Sequence, residues 1–227
     1  MYEDESHPDL VPPRRGRTAL PTRIAGEDLG RIISLSDGVF AFALTLLALS
    51  LAVPVLNLPA GTPSSIISSH LAHRLQGDYN AFVGYVFAFV MIGVWWVIHN
   101  RTFQYLARYD STLVWINMAV LLQIAVMPFV MSVFSAYSNT QVAVALFASI
   151  QVGLGLTNTL LWDYARRAKL LKPDLPAPLV RYFTRRGLFT SVVFAASVGV
   201  SFVSVTAAEI TWVATFVVQR YLSTHGE

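Results

Sequence analysis

From Ile32 to Pro54 the chain carries a single charge, Asp37, in a run otherwise apolar enough to cross the hydrocarbon core of a bilayer. The carboxylate falls about 9 Å into a helix that begins near Arg31. An ionised side chain at that depth in lipid is costly unless donors satisfy it, so Asp37 needs a partner from another helix. Arg31 is badly placed for this, because positions i and i+6 lie about 120° apart around the axis rather than stacked.

Composition points the same way. Apolar residues make up 55% of the chain and charged residues 13%, against roughly 25% charged in ordinary globular domains, so lipid is its main solvent. The chain has no cysteine, which excludes disulfides and thiolate metal sites. The net charge is only +3 and the cations flank apolar segments, where membrane topology accounts for them without nucleic acid as a partner. Residues 1–30 are polar, with Pro12, Pro13, Pro21, Gly16 and Gly26, and hold no apolar h-region. They read as a mostly disordered cytoplasmic tail.

Apolar runs predict an all-α integral membrane domain over 31–223, with spans near 32–54, 79–99, 111–136, 142–162 and 187–206. A short sixth span, 208–222, follows, and 224–227 form a brief cytoplasmic tail. With six spans and an internal N-terminus, every basic residue but Arg74 falls on one side, which places both termini in the cytoplasm. Residues 55–78 are expected to carry a short helix from Ser64 to Leu75 at the outer mouth. Residues 164–186 are basic, are broken by Pro173, Pro176 and Pro178, and are placed on the cytoplasmic surface near anionic lipid headgroups.

At about 100° per residue, Phe42, Leu46, Leu49 and Val53 share one stripe of the first span, with Thr45 about 60° from its axis and Asp37 about 140° from Phe42. The carboxylate and the bulky stripe therefore point to different neighbours, and Gly38 permits close approach at its level. The second span ends in His99, Asn100 and Arg101 at the depth of Ser36 and Asp37, which makes His99 and Arg101 the expected partners of the carboxylate.

Other motifs are set aside. Val83-Gly84-Tyr85 echoes the centre of a potassium-channel selectivity loop but lacks the flanking Thr and final Gly and sits inside a helical run. His70 and His73 have no carboxylate beside them and read as a solvated pair. Glu209 suits a helix N-terminus, and Asp110, Asp163 and Asp174 read as boundary or loop residues. No phosphate-binding loop, nucleophile elbow or His-rich metal signature is present, so no enzymatic role is assigned.

Arg31, Leu35, Ser36 and Asp37, followed by Gly38 to Ala41, resemble the Arg-x-x-x-Phe-Ser-Asp signature of the bacterial relatives of the lysosomal potassium channel called transmembrane protein one-seventy-five. Trp96, His99, Arg101 and Phe103 are similar to the end of that family's second span. Trp115, Asn117, Pro128 and Phe129 are similar to its third, so the likeness covers residues 31–136. The resemblance implies six transmembrane helices per subunit and a homotetramer whose first helices line a central pore. It also implies potassium-selective or potassium-preferring conduction without a carbonyl filter. Phe42, Leu46 and Leu49 fall at the family's constriction and gate, and Thr45 at its hydroxyl layer. Arg31, Ser36, Asp37, His99 and Arg101 form a structural motif network. No cofactor or metal is implied; the permeant ion is K+, the partners are further copies of the chain and membrane lipids, and the location is a prokaryotic plasma membrane. Two positions depart from the pattern: Leu35 stands for the signature Phe, and Phe42 for a smaller aliphatic residue at the narrowest layer.

Two other readings stand beside the channel. One is a proton-coupled secondary transporter using Asp37 and His99, which lacks the inverted repeats and broken helices usual for that class. The other is a non-conducting membrane scaffold, favoured if four Phe42 rings block the axis.

Overall fold

The computed structural model describes residues 27–212, apart from 50, 52, 78 and 138. All regular structure among them is helical: α1 (Glu27–Leu49), α2 (Ser64–Gly77), α3 (Tyr79–Gln104), α4 (Ser111–Tyr137), α5 (Gln141–Arg167), α6 (Ala177–Ser201) and α7, helical over 205–212. Four helices, α1, α3, α4 and α5, are long and apolar enough to cross a membrane. The N-terminal residues 1–26, the C-terminal tail and most of the expected sixth span lie outside the described residues.

Helix boundaries differ from expectation in three places, each for a local reason. α1 starts at Glu27, inside the expected tail, and ends at Leu49. Pro54 cannot donate to a carbonyl four residues back and disfavours helical geometry at Val53, so the chain leaves the helix before reaching it. Val53 is therefore off the helix stripe, 85% exposed. α5 runs on to Arg167 because Asp163 pairs with Arg166 at 2.5 Å and Arg167 at 2.7 Å, spacings i+3 and i+4 that suit a helix. α6 begins at Ala177 rather than near 187. Pro176 and Pro178 sit at its N-terminus, where a missing N–H leaves no gap in the ladder, so they start the helix instead of breaking it.

α4 is the hub of the bundle, packed against α1, α3 and α5, while α6 lies along α5. Its inward residues Val120, Leu121, Ile124, Met127 and Met131 meet Phe40, Ala43 and Leu47 of α1, Met91 and Ile92 of α3, and Val144 and Phe147 of α5 in one continuous core. Pro128 is accommodated inside α4 without ending it. α5 and α6 approach closely: a Cβ on Gly155 would collide with the Ser191 hydroxyl, and one on Gly187 with the Thr159 hydroxyl. Such small-residue contacts substitute for the hydrophobic effect where the surroundings are already apolar. At the other end Trp212 of α7 packs on Phe147, ring centroids 4.7 Å apart, and donates from Nε1 to Ser197 Oγ at 2.8 Å.

The two connections on the charged side of the bundle are joined to each other. Leu106 and Leu171 form an antiparallel bridge; Ala107 N–H donates to Leu170 O, and Lys172 N–H to Tyr105 O, each at 2.9 Å. Arg108 Nη2 donates to Lys169 O at 2.9 Å across the left-handed residue Lys169 (φ 55°). Asp110 accepts from the Leu113 N–H at 2.8 Å, capping α4, and from the Tyr164 hydroxyl at 2.6 Å. A residue expected merely at a boundary thus ties α4 to α5.

Candidate pore-lining helix and its polar anchor

α1 has two faces set by its spacing. Ser36, Phe40, Ala43 and Leu47 are buried against α3 and α4, each at most 1% exposed. On the opposite side Leu35, Gly38, Phe42, Thr45 and Leu49 form an exposed row, with Phe42 65% and Leu49 79% exposed. Leu46 lies on the flank of this row, half-buried. Thr45, expected off the axis of the stripe, is at the centre of the uncovered face. A Cβ on Gly38 meets nothing within 4 Å, so none of the described helices makes a close approach there. The Thr45 hydroxyl donates into its own helix, at 2.8 Å from Ala41 O and 2.9 Å from Phe42 O.

The polar anchor is at the same helix's charged-side end. Ser36 Oγ donates to Ile32 O at 2.9 Å and accepts from Asn117 Nδ2 at 3.1 Å. Asn117 Oδ1 in turn accepts from His99 Nε2 at 2.8 Å, so the ring carries its proton on Nε2 in this arrangement. Ser36, His99 and Asn117 are all buried, and Phe103 stacks on the imidazole at 4.4 Å with Phe40 at 5.4 Å on another side. One residue each from α1, α3 and α4 is thereby joined in a chain of hydrogen bonds.

Asp37 is satisfied differently from expectation. Its Oδ1 accepts from the indole Nε1 of Trp96 at 2.8 Å. Trp96 is one turn before His99 on α3, and its N–H reaches the carboxylate while the imidazole is engaged with Asn117. Arg101, the other expected donor, is exposed, as is Arg31, and neither makes a hydrogen bond or ion pair among the described residues. The expected network therefore resolves into two contacts: Ser36–Asn117–His99 and Asp37–Trp96. Trp96 and Asn117 were legible as motif residues but not as these partners. The signal available was chemical, since indole Nε1 is an obligate donor and a buried amide in a span needs both a donor and an acceptor.

No cluster of three or more metal-ligating residues occurs among the described residues.

Comparison with known proteins fits this geometry. The family described as "Endosomal/lysosomal potassium channel TMEM175" matches residues 31–128. A potassium channel of Streptomyces collinus is 33% identical over 180 residues, covering 77% of this chain and 83% of that protein. A potassium channel of Chamaesiphon minutus is 31% identical over 184 residues, 78% of this chain and 86% of its own length. The human "Endosomal/lysosomal proton channel TMEM175" is 25% identical over 166 residues, 72% of this chain but 31% of the human protein. Among solved structures, the lysosomal potassium-selective channel TMEM175 homolog from Chamaesiphon minutus superposes with a TM-score of 0.66 at 25% identity, covering 88% of this chain and 98% of that one.

Proposed function

Because this chain belongs to the TMEM175 channel family, we propose that it is a potassium-preferring cation channel in which four copies bring α1 to a shared axis. The observation that carries the reading is the two-faced α1: one side is locked into the chain's own core, and the other, Leu35–Gly38–Phe42–Thr45–Leu49, is exposed along its length among the described residues. Around a fourfold axis Phe42, Leu46 and Leu49 stack as apolar rings that can gate by excluding water. Thr45 forms the hydroxyl layer. Its proton is committed to the backbone, which leaves the oxygen lone pairs free for a cation. The anchor of Ser36, Asp37 and His99, with Arg31 and Arg101 on the surface beside it, fixes α1 so that the rings keep their register. Both termini face the cytoplasm of a prokaryotic plasma membrane, no cofactor takes part, and K+ is the permeant ion.

Current from purified protein in planar bilayers, with potassium on one side and sodium on the other, tests this alongside Phe42→Ala. A reversal potential displaced toward that of potassium, with larger currents in the variant, supports a potassium-preferring pore that is narrowest at Phe42. Silence from both, with reconstitution verified, rejects conduction and leaves a scaffold or a coupled transporter. Relatives from vertebrates are named proton channels, so a pH gradient belongs in the same experiment. A reversal potential that follows it identifies protons as the principal charge carrier and overturns the potassium assignment.

A further inference from the structure

The end of α5 and the start of α6 border an open, shallow groove of about 600 Å³. Arg166, Arg181 and Arg185 supply its polar lining together with Thr184, while Leu175 and Val180 supply its apolar side. Arg181 and Arg185 are four residues apart on one helix, where like charges repel. Neither has a carboxylate partner among the described residues; Asp163 is held by Arg166 and Arg167. Arg181 and Arg185 therefore concentrate positive charge that no described carboxylate neutralises, while Arg166 is paired with Asp163, and an anion seated between Arg181 and Arg185 relieves their repulsion.

The groove is also built where α5 and α6 are tied together at the end of an apolar span. Trp162 Nε1 donates to Val180 O at 3.1 Å and its ring stacks on Phe183 at 4.6 Å, which fixes α6 against α5. The connection between them is bonded to the end of α3 through Leu170 and Lys172. Arg166 occupies the last turn of an apolar span, about one turn after Trp162, whose ring packs edge-on to Tyr105. Basic and aromatic residues at the end of a span belong to the headgroup layer. An occupant at that level meets the guanidiniums and an apolar wall together.

We propose that this groove is a binding site for an anionic glycerophospholipid, its phosphate between Arg181 and Arg185, with Arg166 at the rim, and its acyl chains leaving along Leu175 and Val180. Guanidinium groups suit phosphate because their planar donors bind two oxygens at once. The proposal requires that α5 cross a membrane, not that the chain conduct.

The test is binding of phosphatidylglycerol to purified full-length chain in neutral detergent, counted by native mass spectrometry and read as a rise in unfolding temperature. Phosphatidylcholine and inorganic phosphate run in parallel. The wild type is expected to take up phosphatidylglycerol in preference to phosphatidylcholine, and R181Q/R185Q to bind it about thirtyfold more weakly. R181K/R185K keeps the charge but not the planar fork and is expected to fall between them, which serves if the glutamine variant does not fold. Undiminished affinity in both variants overturns the site. Equal loss in the charge-matched K169Q/K172Q variant, both positions exposed outside the groove, overturns it in favour of diffuse surface charge. Equal protection by inorganic phosphate overturns the lipid assignment.

Discussion

α1 and α5 are both apolar enough to span a membrane, yet 22% of the α1 span is buried within the chain and 44% of the α5 span. The difference lies in how each treats its polar groups. α5 turns them inward along its length: Gln151 accepts from Trp95 Nε1 at 2.9 Å, Thr157 accepts from Gln123 at 3.0 Å, and Gly155 admits α6. α1 makes one buried polar contact to another helix, at Ser36, and one exposed contact, at Asp37, and fills the rest of its inner face with Phe40, Ala43 and Leu47. In lipid an apolar side chain is equally at home facing acyl chains or another helix, so hydropathy gives no sign of which face is free. Burial does: α5 is the more covered helix, whereas α1, like α3 at the same 22%, keeps an open face for a second copy or for lipid.

Substitutions along these helices break or sharpen that contrast. The largest effect is expected at the hub of the anchor. Asn117→Leu strips partners from buried Ser36 and His99 at once and should lower stability by about 3 kcal/mol, seen as a large fall in unfolding temperature or loss of monodisperse protein. An unchanged unfolding temperature would show that the three-helix hydrogen-bond chain does not hold α1. Next comes Leu47→Ala on the covered face of α1, expected to cost about 2 kcal/mol through the cavity it leaves. Trp96→Phe keeps the ring but removes the donor to Asp37. Chemical or thermal denaturation should register about 1 kcal/mol, with Asp37→Ala similar and Asp37→Asn milder because an acceptor remains. The smallest change in subunit stability, under about 0.5 kcal/mol, is expected for Phe42→Ala on the uncovered face, while the proposed pore predicts that this variant has the largest effect of the set on current. If Phe42→Ala destabilises the chain as much as Leu47→Ala, the two faces of α1 are not distinct and the free face is already packed in the protein.

Much of this was legible from residue order alone. Four of the expected spans coincide with helices long and apolar enough to cross a membrane, because length and hydropathy decide what lipid tolerates. The expected span at 187–206 falls in α6, which does not qualify, and Ser36, Asp37 and His99 lie near the ends of α1 and α3 where their order in the chain put them. Legibility failed where two chemically plausible donors competed. His99, Arg101 and Trp96 all sit within reach by register, and only side-chain packing decides that the imidazole turns to Asn117 and the indole to Asp37. It failed too at Pro176 and Pro178, because a proline pair signals a break or a start equally well until the flanking backbone is known. Phe42 and Leu46 share a stripe by angle, but which of them faces outward depends on the tilt of α1 against α4, a property of packing rather than of sequence period.

α2 buries none of its residues and touches the rest of the chain chiefly through α3. A helix so lightly attached tolerates foreign chemistry, and the chain contains no cysteine of its own. Ser68→Cys therefore gives a lone, accessible thiol on a surface whose modification leaves the bundle untouched. A membrane-impermeant maleimide then reports which side of the bilayer α2 occupies, and the number of single-fluorophore bleaching steps per particle counts the copies in one assembly.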